Sequence, residues 1–148
     1  MSLKTRILDD VKAAMKARAA ERLSTLRMLT AAMKQKEVDE RVELDDAAIL
    51  AIVEKLIKQR REAAAQFEAG GRADLAAAER NEIEVLSAYL PAPMSAAEIA
   101  AAVDAALAQA GAQTVKDMGR VMALLKPALA GRADLAQVSA QVKARLGG

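Results

Sequence analysis

Apolar residues recur at every third or fourth position along most of the chain, the spacing that places them on one face of an α-helix. The pattern is clear from the start: Ser2 is a residue type that caps helix N-termini, and the apolar positions that follow it are Leu3, Ile7, Leu8, Val11, Ala14 and Met15. Runs of β-branched or aromatic residues, of the type found in strands, are missing. The first helix is therefore predicted to begin directly after Ser2 with this stripe inward.

Three further helices are predicted before residue 91. The second begins near Glu21 and ends in the charged run Lys36 to Glu43, which has no apolar stripe and is interpreted as a solvated loop or a frayed helix end. The third has a cap at Asp45 or Asp46 and stops at Gly70-Gly71, and the fourth spans about Asp74 to Tyr89.

Pro91 and Pro93 interrupt the helical pattern, because proline lacks a backbone N–H and disfavours helical geometry in the residue before it. We expect an N-terminal helical domain over residues 1–93 and a C-terminal three-helix domain over residues 94–148. The capping box Ser95-Ala96-Ala97-Glu98 predicts where the first helix of the C-terminal domain begins. The predicted fold class is all-α: a four-helix bundle-like unit followed by a small three-helix domain.

The C-terminal domain contains two further signals. Its second helix is predicted from about Thr114 to Gly131 and includes Gly119, which we interpret as a place where another helix approaches closely. The string Gly-Arg-Ala-Asp-Leu occurs at residues 71–75 and again at 131–135. We interpret both copies as links between helices, in which Gly ends one helix and Asp74 or Asp134 caps the next.

Composition excludes many kinds of chemistry. The 148 residues include no Cys and no His, so disulfides, thiolate nucleophiles, imidazole bases and Cys/His zinc sites are ruled out. No P-loop, nucleophile elbow or dinucleotide fingerprint is present. The cluster Glu79, Glu82 and Glu84 would have to hold metals with Glu alone and is better explained as a solvent-facing surface. We expect no catalytic residues, no metal and no cofactor.

No apolar segment is long enough for a targeting or membrane-spanning sequence, so we expect a soluble cytoplasmic protein with no membrane partner. The net charge is only +2, but it is unevenly distributed. Residues 1–36 have nine basic and three acidic side chains, residues 37–46 have one basic and six acidic, and residues 111–148 have six basic and two acidic. The basic segment 111–148 is either a binding surface for phosphate groups or an ordinary solvated face. The acidic segment 37–46 can neutralise the basic segment 1–36.

Several strings stand out along the chain. They are Lys116-Asp117-Met118-Gly119-Arg120-Val121-Met122, Lys126-Pro127, Gly131-Arg132-Ala133-Asp134, Arg22-Leu23-Ser24-Thr25-Leu26-Arg27-Met28-Leu29, Lys58-Gln59-Arg60-Arg61-Glu62, Phe67 to Leu75, and Glu84 to Pro91. In combination they resemble the GatB/YqeY family. The resemblance covers essentially the whole chain. It implies a helical bundle followed by a unit similar to the C-terminal tail of the B subunit of tRNA-dependent amidotransferases, a tail that contacts tRNA. A carbon–nitrogen ligase label with glutamine as amido donor would be inherited, since the domains for that chemistry are missing here.

By this resemblance the nucleic-acid contacts fall on Lys116, Arg120, Lys126 and Arg132, with Lys143 and Arg145 as weaker candidates. On one continuous helix Lys116, Arg120 and Lys126 would share a broad face. With one Phe, one Tyr and no Trp, binding would depend on backbone shape and charge rather than on bases, and no DNA partner is expected.

Two functions remain open. The first is a noncatalytic tRNA-binding or amidotransferase-related accessory protein, supported by the tail resemblance and the basic C-terminal segment. The second is an adaptor that docks a protein partner on its helical surface without binding RNA. Amidotransfer by the chain alone is the least favoured, because no nucleophile or base is in evidence.

Overall fold

Helices form the whole regular structure in the computed structural model, which describes residues 2–147. Within that range there are seven α-helices, one 3₁₀ turn and no strand. In chain order they are α1 (Leu3–Lys16), α2 (Ala20–Glu40), α3 (Asp46–Ala69), α4 (Ala73–Ser87), α5 (Ala96–Ala110), the 3₁₀ turn Val115–Asp117, α6 (Met118–Leu129) and α7 (Leu135–Arg145). The predicted all-α class is confirmed.

Side-chain caps begin four of these helices at the residues that the sequence indicated. The Ser2 and Asp45 side chains accept hydrogen bonds from the amides of Thr5 and Ala48, and Asp134 accepts one from Ala136. At α5 the Ser95 hydroxyl accepts from the Glu98 amide, and the Glu98 carboxylate accepts from the Ser95 amide. Each bond satisfies an amide that has no partner within its own helix.

The chain divides into two compact units between Leu90 and Pro91. In the N-terminal unit, α3 and α4 form an antiparallel pair against which α1 and α2 pack. The large side chains at its centre are fully buried: Ile7, Leu26, Leu29, Ile49, Val53 and Leu86. Each of these contributes about 1.5–3 kcal/mol by removing apolar surface from water, so they dominate the stability of this unit.

The C-terminal unit contains α5, α6 and α7 and has its own core. That core is formed by Val103, Val121, Leu125, Leu129, Val138 and Val142. The amide of Met94 donates to the carbonyl oxygen of Arg132 at 2.9 Å, which ties the residues before α5 to the link between α6 and α7.

The prediction of a loop or frayed end over Lys36 to Glu43 is wrong for its first part, since α2 continues to Glu40. The physical reason is the carboxylate of Glu37, which pairs with Lys4 Nζ at 2.8 Å and accepts the Leu44 amide at 3.0 Å. The Lys4 hydrogen bond, with the Leu44 amide second, holds the pKa of Glu37 below its usual value. The last turn of α2 is therefore stabilised by a tertiary contact, which the spacing of apolar residues along the sequence cannot indicate.

Three local predictions are also corrected. Asp74 is not a cap: Arg72 occupies the cap position of α4, and Asp74 lies in the first turn, where its carboxylate accepts two bonds from the Arg72 guanidinium. Gly119 has no close neighbour, because a Cβ added there would meet nothing within 4 Å. Leu8 and Met15 belong to the predicted inward stripe of α1 but are 43% and 52% exposed.

Candidate nucleic-acid interface

All six residues proposed for nucleic-acid contact lie in the C-terminal unit. Lys116 is in the 3₁₀ turn, Arg120 and Lys126 are on α6, Arg132 lies between α6 and α7, and Lys143 and Arg145 are in the last turn of α7. The shared face of Lys116, Arg120 and Lys126 assumed one continuous α-helix. That assumption is wrong, because the α-helix begins only at Met118.

Arg120 is engaged by a carboxylate on the turn before its helix. Its guanidinium donates to Asp117 Oδ1 at 2.5 Å, while Asp117 Oδ2 accepts the amides of Gln113 and Thr114 at 2.9 and 3.2 Å. These two amides, followed by Arg120, lower the pKa of Asp117 to about 2. Asp117 therefore remains a carboxylate at neutral pH, and it organises the start of α6 while neutralising Arg120.

Arg132 stabilises the beginning of the C-terminal unit. Its Nε donates to the Ala92 carbonyl at 3.0 Å, and a terminal nitrogen lies 3.7 Å from the Glu98 carboxylate. Because its backbone carbonyl also accepts the Met94 amide, Arg132 holds the segment 92–98 at three points. Substituting it would disturb the local fold as well as the surface charge.

Arg145 forms an ion pair with Asp104, which joins the last turn of α7 to α5. Both side chains are about half exposed, so solvent screens this pair and its contribution to stability is small. It nevertheless places a carboxylate next to the guanidinium, which lowers the local positive potential. All three candidate arginines are thus accompanied by an acidic side chain.

The three candidate lysines are in a different situation. Lys116, Lys126 and Lys143 are exposed, and within residues 2–147 none of them forms an ion pair or a side-chain hydrogen bond. Nothing in the sequence separated the arginines from the lysines. Glu98 and Asp104, which pair with Arg132 and Arg145, lie on α5, before the basic segment in the chain. The six candidates therefore fall into two groups. The three arginines each lie beside a carboxylate, whereas the three lysines are exposed and form no ion pair within residues 2–147.

Net charge differs between the two units. Residues 91–148 contain six basic and four acidic side chains, a net of +2, whereas residues 1–90 contain sixteen of each. In the N-terminal unit the acidic segment partly neutralises the basic one, as expected, since Lys4 lies 2.8 Å from Glu37 and 3.7 Å from Glu43. The excess positive charge of the chain therefore belongs to the C-terminal unit.

A cleft of about 770 Å³ lies between the start of α2 and the middle of α4. Its lining is mixed, with Arg22, Ser24, Asn81, Glu82 and Glu84 among the polar groups. Across the described range, no group of three or more acidic side chains is arranged to hold a metal ion. Of the three α4 glutamates, Glu82 and Glu84 line this cleft and Glu79 does not.

Within residues 2–147, none of the helices combines the length and the apolar character needed to cross a bilayer.

The chain matches one family model and is similar to curated proteins from fungi. A family model described as Yqey-like protein matches residues 4–146. The chain is 43% identical over 102 residues to "Altered inheritance of mitochondria protein 41, mitochondrial" of Eremothecium gossypii, a match that covers 67% of this chain and 56% of the relative. The protein of the same name from Kluyveromyces lactis is 37% identical over 82 residues, covering 55% and 44%. The chain spans about half the length of these curated relatives.

Proposed function

This chain belongs to the YqeY-like family, and from that premise we propose that it is a noncatalytic RNA-binding accessory protein whose C-terminal unit contacts the phosphate backbone of tRNA. The observation that carries the proposal is the set of three exposed lysines, Lys116, Lys126 and Lys143, that no carboxylate neutralises in the described part of a positively charged unit. Cations of this kind exchange small counterions for phosphates, which is the main source of sequence-independent affinity for nucleic acids.

The chemistry of the surface favours shape and charge as the basis of recognition. The two aromatic residues of the chain, Phe67 and Tyr89, are both in the N-terminal unit, so the C-terminal unit has no ring on which a base could stack. Lysine is a compact charge on a flexible stem and binds phosphate without a demanding geometry. We therefore propose binding to the folded RNA backbone, with little preference for sequence.

The proposal assigns no reaction to the chain itself. Its link to glutamine-dependent amidotransfer rests on the resemblance of the C-terminal unit to the tail of the amidotransferase B subunit, so we propose an accessory role beside such an enzyme. The names of the fungal relatives place those proteins in mitochondria. Cytoplasmic location remains our prediction for this chain, and imaging of a tagged copy in its own cells tests it against an organellar one.

Fluorescence anisotropy of labelled tRNA tests the binding proposal. Lys126→Glu/Lys143→Glu reverses the charge of two exposed lysines in the C-terminal unit. Lys55→Glu/Arg61→Glu makes the same charge change at exposed positions of α3. We expect saturable binding by the natural chain, a large loss of affinity in the first variant and a small one in the second. Absence of binding by the natural chain, or equal losses in both variants, contradicts the proposal.

A protein adaptor is the second candidate. It is favoured by the exposure of Leu8, Met15 and Met28 in the N-terminal unit, since large apolar side chains in water gain free energy when a partner covers them. An adaptor of this kind would bind its partner without RNA. Binding of tRNA that depends on the C-terminal lysines separates the two functions.

A further inference from the structure

The α1–α2 hairpin of the N-terminal unit exposes cations and large apolar side chains next to each other. We define the hairpin surface as five exposed residues: Leu8, Lys12 and Met15 on α1, and Arg27 and Lys34 on α2. We propose that this surface binds an acidic amphipathic helix of a partner protein. The proposal concerns the N-terminal unit and holds whether or not the C-terminal unit binds RNA.

One ion pair sets the alignment of the two helices. Lys4 at the start of α1 lies 2.8 Å from Glu37 near the end of α2, and only residues 17–19 connect the helices, so they are antiparallel. Because both helices rise by about 1.5 Å per residue, positions equally far from this ion pair lie beside each other. Two pairs meet this condition to within one residue: Leu8 with Lys34, and Met15 with Arg27.

On α1 the hairpin surface lies on the side of Lys4 that faces away from the core. An α-helix turns by about 100° per residue, which places Leu8, Lys12 and Met15 about 40°, 80° and 20° from Lys4 in one direction. Ile7, which is fully buried, lies about 60° from Lys4 in the other direction. Leu8 and Met15 are accordingly 43% and 52% exposed.

On α2 the two basic residues lie on the matching side of Glu37. Lys34 and Arg27 are about 60° and 80° from Glu37 in one direction, and Met33 and Leu29 are about 40° and 80° from it in the other. Met33 and Leu29 are buried in the same core as the buried side of α1. Since both helices turn their buried sides to one core, their exposed sides face solvent together.

The cations of the hairpin surface have no acidic partner. Within residues 2–147, the side chains of Lys12, Arg27 and Lys34 form neither an ion pair nor a hydrogen bond. Asp9, one turn before Lys12, forms no ion pair with it, and Glu37 already has a cation partner on α1. Three uncompensated positive charges therefore surround two large apolar side chains.

This combination fits an acidic amphipathic helix. Leu8 and Met15 are seven residues apart, about two helical turns, which is also the interval between residues i and i+7 on the apolar face of a partner helix. Such a helix, lying along the hairpin, would cover both apolar side chains. Carboxylates beside its apolar face would pair with Lys12, Arg27 and Lys34, so that apolar and charged contacts form together.

Other occupants match the hairpin surface less well. A second copy of the chain would bring the same three cations opposite each other, which is unfavourable. An RNA backbone would supply negative charge but would leave Leu8 and Met15 without an apolar contact. Only a partner that carries both carboxylates and apolar side chains satisfies the whole surface.

A synthetic peptide of three heptads serves as the probe, with leucine at the first and fourth positions of each heptad and glutamate beside them. The glutamates also keep the peptide from pairing with itself. In fluorescence anisotropy with the full chain we expect saturable binding at about 50 mM salt that weakens at about 200 mM. A peptide of the same composition, with its leucines spread around the helix, should bind more than about tenfold more weakly.

Reversing the three cations should reverse the preference of the surface. Lys12→Glu/Arg27→Glu/Lys34→Glu should raise the Kd for the acidic peptide by more than about tenfold and should bind a peptide with lysine in place of glutamate. Leu8→Gln/Met15→Gln should weaken the acidic peptide without that reversal. Circular dichroism checks folding, and Lys12→Gln/Arg27→Gln/Lys34→Gln replaces the triple reversal should it fail to fold.

Lys55→Glu/Lys58→Glu/Arg61→Glu, at exposed positions of α3, is the matched control and should leave the affinity unchanged. Absence of binding to the acidic peptide overturns the proposal, as do equal losses in the triple reversal and in this control. The proposal is also overturned if the chain ignores the peptide but binds tRNA, or vesicles containing phosphatidylserine, through the three cations. That result assigns the hairpin surface to the nucleic acid or to the membrane instead.

Discussion

The guanidinium of Arg60 on α3 donates from Nε to Glu82 Oε2 on α4 at 2.7 Å, in a position where the arginine side chain is only 9% exposed. The same guanidinium donates to the Leu56 carbonyl and contacts the Met28 sulfur. One buried charge therefore connects α2, α3 and α4, and the carboxylate of Glu82 compensates it.

Removing that carboxylate should destabilise the N-terminal unit. Glu82→Gln leaves the Arg60 cation without a counterion, and we expect a loss of about 2 kcal/mol, less than for a fully buried pair because Glu82 is 31% exposed. Arg60→Met should cost less, since the charge that it leaves unpaired is the Glu82 carboxylate, which is 31% exposed and can be solvated. Urea unfolding followed by circular dichroism measures both. A larger loss for Arg60→Met would show that packing of the arginine stem, rather than its charge, is the main contribution.

The single tyrosine offers a direct test of the packing between α1 and the end of α4. Tyr89 Oη donates to Asp10 Oδ2 at 2.6 Å, and burial, followed by this bond, raises the pKa of the phenol well above its ordinary value of 10. We expect phenolate absorbance to rise only far into alkaline pH. Asp10→Asn should lower the pKa of Tyr89 but leave it above 10, because burial is the larger cause. Titration at the ordinary value in the folded protein contradicts this contact.

Acid should weaken the start of α6 through Asp117. Its pKa is about 2 in the folded protein against an ordinary 3.8, so the carboxylate favours the folded state at any pH above 3.8. That contribution disappears as the pH falls from 3.8 toward 2. Asp117→Asn should lower the melting temperature at neutral pH, and the difference from the natural chain should shrink in acid. Asp9→Asn removes a carboxylate that makes no cap and serves as the control. A difference that stays constant with pH would exclude this explanation.

Gly119 should tolerate a side chain. It is helical, it lies on α6, and a Cβ added there meets nothing within 4 Å, so Gly119→Ala should stabilise by about 0.5–1 kcal/mol through the lower entropy of the unfolded chain. Gly111→Ala is the contrasting case, because Gly111 has φ of +61° and an alanine there is strained. Urea midpoints should therefore move in opposite directions. Destabilisation by Gly119→Ala would reveal a contact that the structure does not contain.

Local signals account for most of the fold that could be predicted. Ser2, Asp45, Ser95 and Asp134 cap helices where their side-chain chemistry indicated, because a cap depends only on residues within one turn. The error at the end of α2 involves a contact between distant residues. The end of α2 depends on Lys4, which is 33 residues away from Glu37 in the chain. Periodicity cannot report such a bond.

The candidate site illustrates the same limit. The sequence identified six basic residues in the C-terminal segment, yet it could not separate them, because the carboxylates that engage Arg132 and Arg145 are on α5. The prediction that Lys116 shares a helix face with Arg120 and Lys126 was also wrong, because Lys116 lies in the three-residue 3₁₀ helix that precedes α6. The choice of the lysines over the arginines therefore required the three-dimensional structure.

The salt dependence of tRNA affinity tests the central proposal most directly. If Lys126 and Lys143 each contact a phosphate, the double variant Lys126→Gln/Lys143→Gln should bind more weakly, and the slope of log affinity against log salt should become shallower by about 1 for each lysine. Lys55→Gln/Arg61→Gln on α3 should leave the slope unchanged. A slope that is identical in the natural chain and the double lysine variant would contradict the proposed phosphate contacts.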